Sequence, residues 1–356
     1  MPLIIDGGRV PSRWAERVSQ SVIAIDGRTR RVDALNLALI NNMPDAALED
    51  TELQFFELLD IASGDRPVYI KLYSLTGVPR TDRGERHLNN FYYPFDDLWN
   101  DQFDGVIITG TEPRFPNLRE EPYWNLLAQV FDWAGRNTNS TILSCLAAHA
   151  SVLHCDGIKR HPLPDKKFGV FEAATQGGHP LMSHAGGTVR FPHSRWNEVK
   201  EGELIEGGYS VLSKSVEAGV DVFVKKMKKS LFVHFQGHPE YGAHTLFKEY
   251  RRDVKRYLRR ERETYPIFPH GYFDESAAAA MNLYRERAMA DRREELIDSF
   301  PESATKTLQH SWQPSAIGVY ENWLRYMLEK RVQRESFPVM TRMASARPSV
   351  ADGETA

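Results

Sequence analysis

The chain has 356 residues, of which 41% are hydrophobic and 26% are charged, so it is long enough to bury a large core in one big domain or two smaller ones. Its formal net charge of -3 and pI of about 6.5 exclude a global attraction to nucleic acid or to an anionic membrane. The two cysteines, Cys145 and Cys155, are too few for a disulfide scaffold and indicate a reducing compartment.

Targeting signals and long apolar runs are missing from the sequence. The first residues contain no basic segment followed by an apolar stretch, and no long uncharged apolar run follows. We therefore expect a cytoplasmic protein that neither enters a membrane nor binds nucleic acid. Residues 1–31, rich in Arg, Ser and Gly, are expected to form an irregular lead-in, residues 32–330 the main domain, and residues 331–356 a partly disordered extension.

Apolar strands alternate with amphipathic helices in the first half of the chain. Strands that are apolar nearly throughout are typical of parallel strands buried on both faces. The succession predicts an α/β fold, with a doubly wound, mostly parallel sheet and helices on both faces, followed over residues 203–235 by a smaller antiparallel part. Such sheets bind ligands at the carboxyl ends of their strands. The predicted elements are strands over 32–40, 68–72 and 103–112 and helices over 45–59 and 123–137.

Two further helices are predicted near the end of the chain. The first, over residues 243–263, has an Arg-rich face, which is either a candidate phosphate site or an ordinary solvated face balanced by acidic neighbours. The second covers residues 312–330. The sequence has no zinc-type Cys/His spacing and no Gly-rich phosphate loop, so we expect no metal and no bound cofactor.

The stretch from Ser140 to His149 carries the first candidate catalytic residue. A short β-branched apolar run stops at Cys145, and small residues then open a helix. Such a strand-to-helix turn lifts one side chain out at the carboxyl end of the sheet, and the positive end of the helix dipole favours a thiolate there. Cys145 is therefore either a nucleophile or one more buried, small apolar residue.

A second stretch, Ser230 to Tyr241, favours the nucleophile. Another apolar strand ends in glycine, and His238 and Glu240 then stand two residues apart around a proline that fixes its own φ. A nucleophilic cysteine needs a base that takes its proton and a third group that orients this base. Cys145, His238 and Glu240 supply these three residue types.

Taken together, the motifs resemble the homoserine O-succinyltransferase/O-acetyltransferase family of methionine biosynthesis, which has the class I glutamine amidotransferase-like fold. The resemblance implies that an acyl-CoA, either succinyl-CoA or acetyl-CoA, is a co-substrate and that L-homoserine accepts the acyl group. It also implies a homodimer. The matching stretches are residues 35–44, 87–92, 103–110, 123–124, 157–158, 168–170, 192–195, 237–241 and 252–253.

The resemblance assigns roles residue by residue. Cys145 would take the acyl group as a thioester, His238 would act as base and Glu240 would orient the imidazole. The backbone N–H of Leu146 would help to hold the oxyanion. The positions where the family binds its amino-acid substrate are Lys166, Ser194 and Arg252, with Arg252 suited to the carboxylate.

The sequence departs from the family pattern at three places. Asp45 follows Met-Pro where a basic residue is usual, Leu146 replaces a tryptophan, and Arg114 occupies the position that sorts acyl donors, where glycine accompanies succinyl and glutamate accompanies acetyl. A guanidinium there can pair with the free carboxylate of a succinyl group, which favours that donor, or it can crowd the pocket.

Three other functions stay open. One is a divergent paralogue that acylates another hydroxy-amino acid such as serine. Another is a glutamine amidotransferase-like hydrolase, although such enzymes flank the nucleophile with glycines and Cys145 stands in Leu-Ser-Cys-Leu-Ala. The third is a catalytically inactive binding protein on the same fold.

Overall fold

The computed structural model describes residues 3–5, 9–17, 34–183 and 186–336. Ten strands form one sheet within these residues. They are β1 (Leu3–Ile5), β2 (Leu35–Ile40), β3 (Val68–Tyr73), β4 (Gly105–Ile108), β5 (Ser140–Ser144), β6 (His161–Thr175), β7 (Thr188–Glu198), β8 (Ser210–Ser215), β9 (Gly219–Met227) and β10 (Ser230–Phe235). The helices are α1 (Ser12–Arg17), α2 (Asp45–Ser63), α3 (Asp82–Phe91), α4 (Asp97–Asn100), α5 (Trp124–Asn137), α6 (Leu146–Asp156), α7 (Glu201–Glu206), α8 (Thr245–Leu258), α9 (Glu275–Ala290) and α10 (Gln313–Ser336).

The sheet has a parallel part and an antiparallel part. Its strand order is β1-β3-β2-β4-β5-β10-β9-β8-β6-β7. The first six strands in this order, β1-β3-β2-β4-β5-β10, pair in parallel with their neighbours. The remaining pairs, from β10-β9 to β6-β7, are antiparallel. The predicted fold class, a mostly parallel α/β sheet with a smaller antiparallel part, is confirmed.

Helices cover both faces of the parallel part, as the apolar strands predicted. In β2, Leu37 and Leu39 belong to the core that also contains residues of α2 and α10. Ala38 and Ile40 point to the other face, into the core that contains residues of α5 and α6. Full burial of a leucine stabilises a fold by about 1.5–3 kcal/mol, so both faces of each central strand contribute to stability.

A third apolar cluster lies outside these two layers. It joins residues of α8 and α9 to Phe168 and Val170 of β6 and to Trp312, just before α10. The indole N–H of Trp312 donates to the Tyr241 carbonyl at 2.7 Å. The segment that follows β10 is therefore held in place by a residue near the start of α10.

Several boundaries differ from the sequence predictions. The lead-in is not wholly irregular, since β1 joins the sheet edge next to β3 and α1 packs beside α2. No strand was predicted over residues 161–175, which form the long strand β6. Its antiparallel pairing with β7 tolerates a register shift between Pro162 and Lys167. The last helix extends past residue 330 to Ser336. Residues 337–356, expected to be disordered, lie outside the described residues, and the three-part division of the chain stays a prediction.

The helices were also compared with the length and hydropathy that a membrane span requires. In the described ranges, no helix is both long enough and apolar enough to cross a bilayer.

Candidate active site

Cys145 stands between β5 and α6 in a backbone conformation that few residues adopt. Its φ is 50° and its ψ is -106°, and a positive φ in a residue other than glycine costs on the order of 1–3 kcal/mol. The turn is held because the Cys145 N–H donates to the Phe235 carbonyl at 2.8 Å, while the Cys145 carbonyl accepts from the N–H groups of Ala148 and His149. The half-buried thiol is therefore presented at the carboxyl end of β5.

The side chains of Cys145, His238 and Glu240 lie together after the carboxyl ends of β5 and β10. β10 pairs in parallel with β5, with Phe235 opposite Ser144, so the residues after β10 lie beside the cysteine turn. The His238 imidazole is close enough to Cys145 for their charges to interact, and His238 Nδ1 lies 2.8 Å from Glu240 Oε1. Ser144 Oγ donates to the same carboxylate oxygen at 3.1 Å. The structure thus brings the three predicted residues into contact.

The charges around His238 set its protonation state. Burial opposes a charged imidazole, but the Cys145 thiolate and the Glu240 carboxylate outweigh it and raise the pKa of His238 well above its ordinary value. Two other buried histidines, His149 and His234, have uncharged hydrogen-bond partners. Burial lowers the pKa of each of these two to about 3. The surroundings of His238 therefore favour its charged imidazolium form.

The backbone N–H of Leu146, which is predicted to help to hold the oxyanion, lies at the start of α6. It is the first N–H of α6, and the first N–H groups of a helix have no acceptor within the helix. Gly110, just after β4, lies directly against it. A Cβ built on Gly110 would come within 2.7 Å of Leu146 Cβ and 3.0 Å of Leu146 N, so a side chain there would crowd this N–H. The arrangement fits the predicted role of Leu146.

The loop after β4 forms one wall of the site and carries Arg114. Its backbone is held from two sides. The Glu121 carboxylate accepts from the N–H of Arg114 at 2.6 Å and from that of Phe115 at 2.8 Å. Arg160 Nη2 donates to the carbonyls of Phe115 and Pro116 at 3.1 and 3.0 Å. The Arg114 side chain is exposed on this wall, and its role in donor selection stays a prediction.

The three residues predicted to bind the amino-acid substrate are gathered around two carboxylates of α8. Lys166 Nζ lies 3.6 Å from Glu249 Oε2 and 3.4 Å from Asp253 Oδ2. Ser194 Oγ donates to Glu249. Arg252 Nε donates to Asp253 Oδ1 at 3.1 Å. Residues from β6, β7 and α8 therefore form one polar group.

Tyr241 connects this polar group to the base. Its ring stacks on the His238 imidazole with centroids 4.2 Å apart and an interplanar angle of 17°. Its hydroxyl donates to Glu249 Oε1 at 2.7 Å. Burial opposes the charge of the guanidinium, but Asp253 and Glu249 raise the pKa of Arg252 above its ordinary value. The Glu249 carboxylate thus lies one aromatic ring away from the base.

The Arg-rich face of α8 is paired with acidic neighbours. Three of its exposed cations reach carboxylates on other elements, so this face is better explained as a solvated surface balanced by acidic neighbours than as a phosphate site. The pairs are Lys248 with Asp50, Arg251 with Glu302 and Arg259 with Glu294. Within the described ranges, no group of three or more His, Cys, Asp or Glu side chains could hold a metal ion.

Asp45, one of the departures from the family pattern, has a structural role. Its Oδ2 accepts from the Thr81 N–H at 2.7 Å, at the start of α3. Arg80 Nη1 lies 3.1 Å from Asp45 Oδ1. Gln54, further along the same helix, donates to Thr245 Oγ1 at 2.8 Å and ties α2 to α8. The unusual segment therefore joins α2 to its neighbours.

Sequence reasoning missed several residues of the site. Glu249 and Asp253 stand four residues apart on a helix, a spacing that places both on one face, and this signal was available. Ser144 and Arg160 gave no such signal. Their contacts depend on which strands and loops the fold brings together.

Solved structures that are similar to this chain include two glutamine amidotransferases. A glutamine amidotransferase from Thermotoga maritima matches with a TM-score of 0.46 and 11% identity, covering 84% of this chain and 100% of that chain. A glutamine amidotransferase from Methylobacillus flagellatus matches with a TM-score of 0.45 and 15% identity, covering 83% of this chain and 96% of that chain.

Sequence relatives are much closer. The homoserine O-succinyltransferase of Methylorubrum extorquens is 41% identical over 297 residues, which cover 83% of this chain and 88% of that protein. The homoserine O-succinyltransferase of Bradyrhizobium japonicum is 38% identical over 336 residues, which cover 92% of this chain and 100% of that protein. The family model for homoserine O-succinyltransferase matches residues 18–334. The resemblance found in the motifs is confirmed, and the chain belongs to the homoserine O-succinyltransferase family.

Proposed function

We propose that this protein transfers a succinyl group from succinyl-CoA to the hydroxyl of L-homoserine, through a thioester on Cys145, in methionine biosynthesis. The observation that carries the proposal is the juxtaposition of Cys145 with His238, whose imidazole hydrogen-bonds to Glu240. Membership of the homoserine O-succinyltransferase family supports the choice of acceptor and donor.

In the first step, the Cys145 thiolate attacks the thioester carbonyl of the acyl-CoA. The carbonyl oxygen becomes an oxyanion, which the Leu146 N–H stabilises. Collapse of this intermediate breaks the bond to the CoA sulfur, and the CoA thiolate takes up the proton that His238 holds. Cys145 is left as a succinyl thioester and His238 as a neutral base.

In the second step, the homoserine hydroxyl attacks the thioester. Neutral His238 takes the hydroxyl proton, and Glu240 stabilises the imidazolium that forms. The new ester bond replaces the bond to Cys145, which leaves as a thiolate. The imidazolium–thiolate pair is restored, so the enzyme is ready for the next acyl-CoA.

The polar group on α8 suits a zwitterionic amino acid. Arg252 has a side chain that is 51% exposed and offers a guanidinium to the α-carboxylate. Glu249 and Asp253 offer negative charge to the α-ammonium group. Ser194 and Lys166, both in contact with Glu249, fix the position of this carboxylate. The acceptor hydroxyl would then reach the thioester past the ring of Tyr241.

The donor is assigned through the loop after β4. Arg114 belongs to a loop whose backbone is held by Glu121 and Arg160, so its guanidinium extends from a fixed base. The free carboxylate at the end of a succinyl chain could pair with the Arg114 guanidinium on this loop, whereas an acetyl group has no carboxylate for such a pair. This favours succinyl-CoA over acetyl-CoA.

A matrix of acyl donors and acceptors tests the proposal. Purified enzyme is incubated with succinyl-CoA or acetyl-CoA and with homoserine, serine or glutamine, and release of free CoA and of ammonia is followed. CoA release that requires homoserine and is fastest with succinyl-CoA is the expected result. Faster transfer to serine, or ammonia release from glutamine, would replace the proposed function with one of its alternatives.

A further inference from the structure

The turn that carries His238 is bound along its backbone by a buried carboxylate that the acyl transfer itself does not use. Asp221, on β9, is fully buried. Its main-chain carbonyl accepts from the Gln236 N–H at 2.9 Å, and its Oδ1 accepts from the Gly237 N–H at 3.1 Å. The following N–H, that of His238, donates to the Pro192 carbonyl at 2.7 Å. Strands β7 and β9 therefore hold consecutive N–H groups of the turn.

The turn packs closely against these partners. A Cβ built on Gly237 would lie 2.9 Å from the Pro192 oxygen, 3.0 Å from Asp221 Oδ1 and 3.1 Å from His193 Nε2. A methyl group would fit there only if the turn or its partners moved. Such close packing means that a change at Asp221 is transmitted to the backbone of the next residues.

The charge of Asp221 is balanced through a histidine and an arginine. His193 Nε2 lies 3.5 Å from Asp221 Oδ1, and Arg195 Nε donates to His193 Nδ1 at 3.2 Å. Burial lowers the pKa of His193, which keeps it neutral with its proton on Nε2, facing the carboxylate. Arg195 is itself buried and donates to the Asn197 carbonyl at 2.8 Å. The buried Asp221 carboxylate is thus connected through His193 to the buried Arg195 guanidinium.

We propose that Asp221 is a positioning residue for His238. By accepting the Gly237 N–H, it fixes the turn that sets the distance between the imidazole and the Cys145 thiol. Glu240 orients the imidazole directly, whereas Asp221 acts through the backbone. The expected effect on turnover depends on the proposed acyl transfer, but the expected effect on the His238 imidazole does not.

Two substitutions separate the hydrogen bond from the charge. Asp221→Ala removes the acceptor, and because a base displaced by about 1 Å can cost on the order of 100-fold in rate, kcat should fall by about 10- to 100-fold with little change in KM for homoserine. Asp221→Asn keeps an amide oxygen for the Gly237 N–H and should stay within about threefold of the wild-type kcat.

A matched control is available at the other end of the sheet. Asp104 is also buried and accepts a backbone N–H, that of Asn36, at 2.9 Å. It lies just before β4, at the amino ends of the parallel strands and away from Cys145. Asp104→Ala should lower stability while leaving kcat unchanged.

The imidazole itself provides a readout that a purely structural role would not move. In histidine-labelled protein without substrate, an NMR titration measures the pKa of His238. The signal that is missing in His238→Gln identifies this residue. In Asp221→Ala, the imidazole should move away from its anionic partners, so the raised pKa of His238 should fall toward its ordinary value. In Asp104→Ala, the pKa of His238 should not change. The charged or titratable groups that face His238 or Asp221 are Cys145, Glu240, Tyr241, His193 and Arg195.

Each outcome decides the proposal. A wild-type kcat and His238 titration in Asp221→Ala would overturn it, and so would an Asp221→Asn enzyme as impaired as Asp221→Ala, since the charge rather than the hydrogen bond would then matter. If Asp221→Ala does not fold, Gly237→Ala, whose methyl group would crowd Asp221 Oδ1 and the Pro192 oxygen, displaces the same turn and must lower both kcat and the His238 pKa. If wild type transfers no acyl group, the titration still tests the positioning of His238.

Discussion

The two ends of helix α6 place the same residue type in opposite surroundings. Cys145 precedes the first turn, with φ of 50°, and lies beside the His238 imidazole. Cys155 lies in the last turn, where burial raises its pKa to about 11 and the nearby Asp156 carboxylate adds to the effect. Both thiols are half-buried. Accessibility therefore does not distinguish them, and the difference in chemistry comes from neighbouring charges and backbone conformation.

Removing the thiol at the first end should have the largest effect. Cys145→Ala is expected to reduce kcat by on the order of 10⁴-fold or more, because no other group in the site can form the thioester. Stability should change little, since an alanine fills most of the space of the cysteine. Steady-state release of CoA measures the rate, and Cys155→Ala is the matched control, with kcat within about twofold of wild type.

Alkylation compares the two ends directly. At neutral pH, iodoacetamide should modify Cys145 at least about 100-fold faster than Cys155, since only the thiolate reacts and burial keeps Cys155 protonated. Peptide mass spectrometry after short incubations gives both rates in one sample. Similar rates at both positions would mean that Cys145 is an ordinary half-buried thiol, as in a catalytically inactive binding protein.

The sequence predicted much of this difference. The β-branched run of β5 and the small residues after Cys145 indicated a strand-to-helix turn, and the Gly237–His238–Glu240 segment indicated a base and its orienting group. These signals are local, because a strand and the turn that follows it depend on residues that are adjacent in the sequence. The central parallel strands were equally clear, since each is apolar on both faces, whereas β1 lies in the residues that were predicted to be irregular.

Contacts between distant segments were not predictable in the same way. The binding of Arg160 to the loop of Arg114, and of Asp221 to Gly237, depends on the order of strands in the sheet. A single sequence does not indicate which antiparallel strand contacts the backbone of a given turn. The long strand β6 was missed for a related reason, since its prolines resemble a loop and its pairing with β7 is visible only in three dimensions.

The loop that faces the first turn of α6 should tune the donor, with a smaller effect. A charge-assisted hydrogen bond from Arg114 to the succinyl carboxylate would contribute about 1.5–3 kcal/mol. Arg114→Gly is therefore expected to lower kcat/KM for succinyl-CoA by roughly tenfold or more and to change it little for acetyl-CoA.

Arg114→Lys provides the control for this substitution, since it keeps a positive charge but loses the planar guanidinium, and an intermediate loss is expected. The opposite result, faster succinyl transfer in Arg114→Gly, would show that the arginine crowds the larger donor. The assignment of succinyl-CoA would then be withdrawn.

The covalent intermediate tests the central claim most directly. Wild-type enzyme is mixed with succinyl-CoA in the absence of homoserine, and the intact mass is measured before and after homoserine is added. We expect one succinyl group per chain, located on Cys145, absent in Cys145→Ala, retained in Cys155→Ala and discharged by homoserine. A chain that transfers succinyl to homoserine but never carries a succinyl group on Cys145, even under rapid quenching, would contradict the thioester mechanism.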